Sequence, residues 1–83
     1  MYKQEKELLK SIWEERRETL RDARQAEDTQ LSESCYVSFG TYGIAVCKYR
    51  QGRWQRKIVN NWRALSFDEF LALYNAAPWE KMR

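Results

Sequence analysis

From about Lys3 to about Thr29 the chain contains neither Gly nor Pro, and its apolar residues Leu9, Ile12, Trp13, Leu20 and Ala23 recur at spacings of three and four. That period predicts an α-helix with one buried stripe, and residues 1–30 are assigned to it. Strong helix formers fill the remaining positions. Opposite charges stand one turn apart at Lys10 and Glu14 and at Glu14 and Arg17. The stripe is narrow, because Arg16 or Arg17 falls where a sixth apolar residue would sit. Asp28 to Ser34 is polar and short-chained, which suits a connection after the helix.

Composition then changes abruptly. Cys35-Tyr36-Val37-Ser38-Phe39 and Ile44-Ala45-Val46-Cys47-Lys48-Tyr49 are β-branched and aromatic runs separated by Gly40-Thr41-Tyr42-Gly43, the pattern of a hairpin. Arg50-Gln51-Gly52-Arg53 supplies a second turn, with a glycine for positive φ, and Trp54 to Val59 continues as a third strand. Short loops make residues 34–60 a three-stranded antiparallel meander. After the turn at Asn60-Asn61, Ser66-Phe67-Asp68-Glu69 matches a capping box that opens a second helix over 66–77. Phe67, Phe70, Leu71 and Tyr74 share one face of it, and Pro78 follows its end. The last residues have no periodicity, although Trp79 has the size to fold back on the core.

The expected fold is therefore α+β: helix, three strands, helix, as one small domain over residues 1–83 with helices across one sheet face. A first helix of about 27 residues would run roughly 40 Å. That exceeds three short strands, so its N-terminal half is expected either to project and pair with another copy, or to lie across the sheet and fray at its first turns. Four Trp, five Tyr and three Phe among 83 residues supply the large rings with which a short chain offsets its ordering entropy. No apolar run approaches the roughly 18 residues of a membrane span. The charged Met1 to Glu7 segment is unlike a signal peptide, so a cytoplasmic protein without membrane contact is expected.

Histidine is absent. That removes the usual general base near neutral pH and the commonest zinc ligand, so neither an enzyme nor a metal or cofactor site is expected. Glu14, Glu15, Glu18 and Asp22 cluster on the first helix, where solvated charge is the ordinary reading. Cys35 and Cys47 are two thiols in predicted strands. An odd-numbered first hairpin loop would set them face to face, whereas two or four residues would set them on opposite faces. Buried, reduced cysteines are the expectation in a reducing cell. Gly40-Thr41-Tyr42-Gly43 joins two strands rather than opening a helix, so it is a turn and not a phosphate loop.

Charge adds one feature. The net +3 divides into −1 over residues 1–30, +5 over 31–65 and −1 over 66–83. Lys48, Arg50, Arg53, Arg56, Lys57 and Arg63 have no acid among them, and Trp54 and Trp62 are interleaved. Trp, Tyr and Arg dominate protein-binding hot spots, so this segment is the candidate site of a small non-enzymatic binding or regulatory protein whose partner presents an acidic surface. Small phage and mobile-element proteins that act on host machinery share this size and composition. The alternative is nucleic-acid binding, with phosphates on the cations and bases stacked on the rings.

Overall fold

The computed structural model describes residues 2–19, 27–40 and 43–82. The chain forms α1 (Lys3–Thr19), β1 (Glu27–Ser32), β2 (Cys35–Phe39), β3 (Gly43–Arg50), β4 (Arg53–Asn60), a 3-10 turn (Trp62–Ala64), α2 (Phe67–Ala76) and β5 (Glu80–Lys81). The strands make one antiparallel sheet in chain order. The α+β class is as expected, but the sheet has five strands rather than three, and the fifth follows the second helix.

The two additional strands lie where hydrophobic pattern is weakest. Glu27–Ser32, expected as the end of the first helix and its connection, pairs with β2 from Glu27↔Phe39 to Ser32↔Cys35. An edge strand needs only one half-buried side, here Thr29 and Leu31, and its polar residues keep the edge wet. Only Glu33 and Ser34 are left for the turn. Glu80–Lys81 is held by two register pairs, Gln55↔Lys81 and Arg56↔Glu80, without any propensity of its own. Leu20, Asp22 and Ala23, and the turn residues Thr41 and Tyr42, lie outside the described residues.

Both central loops are even-numbered. Phe39↔Ile44 leaves four residues in the first, and Arg50↔Arg53 leaves Gln51-Gly52 in the second. Gln51 at φ 53° and Gly52 at φ 80° are the two left-handed residues of a type I′ turn, whose twist matches that of the strands. Cys35 is consequently opposite Lys48 and Cys47 opposite Tyr36, so the thiols lie on opposite faces and are unbridged.

One face of the sheet carries Cys35, Val37, Phe39, Ile44, Val46 and Val59, and both helices cover it. In α1 the buried positions are Glu5, Leu9 and Trp13, four residues apart, so the helix lies on the sheet from its first turn. Its 17 residues span about 26 Å, the length of an eight-residue strand. The expected mismatch of length is therefore absent from α1 as described. In α2 the capping box forms as expected: Ser66 N–H donates to Glu69 Oε1 at 2.9 Å, and Glu69 N–H to Ser66 Oγ at 3.1 Å. That start turns Phe67, Phe70 and Tyr74 inward.

Trp13 is the centre of the packing. Its ring lies 5.2 Å from Trp62, 5.5 Å from Phe67 and 4.8 Å from Phe70, joining α1 to the 3-10 turn and α2. Its indole N–H is buried without a hydrogen-bond partner, so the side chain contributes through apolar area and ring contacts alone. Trp13→Ala is expected to cost about 4 kcal/mol in urea unfolding. Trp13→Phe should cost clearly less, because no hydrogen bond is lost; equal destabilisation by both would contradict this packing.

Candidate functional site

A linear run of cations from Lys48 to Lys57 cannot stay together on a sheet, because neighbouring side chains point to opposite faces. Lys48, Arg50 and Lys57 lie on the helix-covered face, with Val46↔Lys57, Lys48↔Gln55 and Arg50↔Arg53 as cross-strand pairs. Tyr49, Trp54 and Arg56 lie on the other. Arg53, exposed at the start of β4, borders clefts on both faces.

On the covered face the cations have internal partners. Lys48 Nζ donates to Glu5 Oε1 at 3.0 Å and lies 4.4 Å from the centre of the Tyr2 ring. Ser32 Oγ donates to the second Glu5 oxygen at 2.8 Å, and the Tyr2 backbone N–H donates to Oε1 at 3.3 Å. This group ties α1 to β1 and β3. Burial by itself raises the Glu5 carboxyl, but the donors from Lys48, Ser32 and Tyr2 outweigh it and hold the group below its ordinary value. Lys57 Nζ donates to the Tyr74 carbonyl at 2.9 Å, near the C-terminal end of α2, with the Tyr74 and Trp79 rings at 4.4 and 5.0 Å. Desolvation, then the nearby Arg50, lowers its pKa. Arg50 stacks on Trp79 at 4.6 Å.

Two more of the sequence-predicted residues lie in the core and at its margin. Trp62 is fully buried and donates from Nε1 to the Gly40 carbonyl at 2.9 Å. Arg63 is half-buried over the Trp62 ring at 5.3 Å, and its carbonyl accepts from Arg17 at 3.0 Å.

The other sheet face has no helix against it among the described residues. Tyr36, Tyr49 and Trp54 form one aromatic patch there, with Trp54 5.3 Å from Tyr36 and 5.8 Å from Tyr49. Tyr49 is 51% exposed. Met82 closes the patch: its N–H donates to the Trp54 carbonyl at 3.3 Å, and its Sδ lies 4.0 Å from the Tyr36 hydroxyl. Gln30, Glu33, Tyr36, Arg53, Trp54 and Met82 line a cleft of about 650 Å³ beside it. Arg56 is exposed on the same face but pairs with Glu80 at 3.8 Å. With Asp28, Glu33 and Glu80 around Arg53 and Arg56, the described residues of this face have no excess of positive charge.

Tyr36 and Met82 are the members of this patch that lie outside the basic-aromatic segment of residues 48–63, whereas Tyr49 lies within it and pairs with Trp54. Once both loops are known to be even, Tyr36 and Tyr49 follow from alternation, whereas Met82 depends on β5. Cys35 sits in the core, where burial and then the nearby Glu5 push its thiol up to about 12, and burial also raises Cys47. Among the described residues no three His, Cys, Asp or Glu side chains are grouped to hold a metal ion, and no helix is long and apolar enough to cross a membrane.

Because Glu5 titrates below its ordinary value in the fold, its ionisation stabilises the protein above about pH 4.5, and that contribution is lost as pH falls. Glu5→Gln should cost about 3 kcal/mol at neutral pH by leaving the half-buried Lys48 ammonium without its carboxylate. The variant should also lose less stability than the parent between pH 6 and pH 3 in chemical denaturation; identical pH profiles would remove Glu5 from this role. No protein-family model, curated protein or solved structure matches the chain, so its function is read from the chemistry of its two sheet faces.

Proposed function

We propose that the chain is a small, non-enzymatic binding protein of regulatory type that engages a protein partner through the uncovered sheet face. The observation that carries this reading is the contiguous patch of Tyr36, Tyr49, Trp54 and Met82 on a face without a helix over it among the described residues. Aromatic rings preset on strands lose little freedom on binding, and such residues concentrate binding energy. The preferred partner surface is apolar, with an acidic group placed for Arg53, whose guanidinium is exposed at the rim.

Nucleic-acid binding is the second reading and uses the same rings as stacking platforms. It has less support, because the basic segment is distributed over two faces. Lys48 is paired with Glu5, Arg56 with Glu80, and Lys57 is buried. Phosphate binding draws its affinity from unpaired cations.

A photo-crosslinking amino acid at position 49, introduced in the native host, should capture a protein. With that partner in hand, Trp54→Ala should weaken binding roughly thirtyfold, and Arg53→Glu should slow association. Labelled single strands should give flat anisotropy titrations at physiological salt. Salt-sensitive binding of single strands that disappears in Trp54→Ala would instead establish the nucleic-acid reading.

A further inference from the structure

Among the described residues, the sheet has a stretch of edge that is neither paired nor protected. The two-residue turn makes Arg50 and Arg53 the closing hydrogen-bonded pair of the β3–β4 hairpin. Arg53, Gln55, Lys57 and Val59 therefore direct their backbone groups to β3, and Trp54, Arg56, Ile58 and Asn60 direct theirs the other way. The bond from Met82 N–H to the Trp54 carbonyl agrees with this sense. β5 pairs with β4 only as far as Arg56↔Glu80, and Pro78, which has no N–H, stands before it. Beyond that point Ile58 and Asn60 present their N–H and C=O groups with no strand beside them among the described residues.

The surroundings of this stretch set it apart from the other edges. β1 carries Glu27 and Asp28, and β5 carries Glu80 and Lys81, the charged residues that ordinarily prevent edge pairing. Along the free part of β4, a groove of about 370 Å³ is lined by Ile58, Val59, Asn60, Leu73, Ala76 and Ala77. None is charged, in a chain that is 33% charged. Ile58 is 41% and Leu73 48% exposed, on the two sides of the edge.

We propose that a second copy of this chain covers the groove. In this arrangement β4 pairs antiparallel with its counterpart about a two-fold axis, and Leu73 and Ala76 of the two α2 helices meet. Such a contact is isologous, so it needs no feature beyond those present on one copy. The neutral lining supports a second copy as the occupant: two chains of net charge +3 repel, and this patch brings edges together without juxtaposing like charges. Ala76 and Ala77 are small enough to let the helices approach. Pairing would join the two sheets edge to edge and set both aromatic faces on one side, which would give the assembly two binding faces for its partner.

Sedimentation equilibrium at micromolar to submillimolar concentration tests this directly. The parent chain should give twice its 10.1 kDa mass at the upper end. Ile58→Lys and Leu73→Glu should each halve that mass while leaving circular dichroism unchanged. Ile58→Pro, which removes an edge donor without touching the β3 ladder, should do the same. The Ile58 and Asn60 amides should be protected from hydrogen exchange in the dimer and exposed in the monomeric variants. A parent chain that is monomeric throughout would overturn the proposal and leave the edge for a strand of another protein. A dimer that survives all three substitutions would overturn it in favour of another surface, such as α1.

Discussion

Two loops of even length, Gly40–Gly43 and Gln51-Gly52, assign nearly every side chain between Cys35 and Asn60 to one face of the sheet or the other. Because the strand period is two residues, a loop longer or shorter by one would exchange the faces of a whole strand. In the first loop this would set Val37 and Phe39 on the face opposite Ile44 and Val46; in the second it would part Tyr49 from Trp54. The type I′ turn at Gln51-Gly52 holds the second register, and the Trp62 indole, bonded to the Gly40 carbonyl, ties the first loop to the core. Packing, charge placement and the exposed aromatic patch all follow from those registers.

How legible the fold was depended on the strength of each local signal. The capping box at Ser66, the Phe67, Phe70 and Tyr74 face, and the strands from Cys35 to Asn60 combine propensity, pattern and turn chemistry, and these agree. β1 and β5 offer neither alternation nor β-branched runs. Glu27–Ser32 is a strand because β2 presents backbone groups to pair with, and Glu80–Lys81 because β4 does. Such strands are made by tertiary context, which a single sequence shows poorly. Assigning Glu27–Gln30 to the first helix fails for the same reason, since the Gly- and Pro-free stretch of helix formers does not mark where pairing with β2 begins.

The candidate site was only partly legible, for a reason of geometry. Six cations between Lys48 and Arg63 look like one surface in the linear sequence, yet the fold distributes them among a buried ion pair with Glu5, a ring stack on Trp79, an exposed pair with Glu80 and the end of α2. Arg53 is exposed and Trp54 is half-buried on the uncovered face, while Trp62 belongs to the core. Much of the local positive charge thus serves to attach α1 and α2 to the sheet. Among the described residues, the aromatic face opposite the helices is the one no helix covers.

The most direct measurement of this division is solvent paramagnetic relaxation of the aromatic and methyl protons by a neutral gadolinium chelate. If the faces are assigned as described, Tyr49 and Trp54 relax strongly while Trp13, Trp62, Val37 and Val46 do not. Comparable protection of Trp54 and Trp62, or strong relaxation of Val37 and Val46, would contradict the face assignment and with it the proposed binding surface.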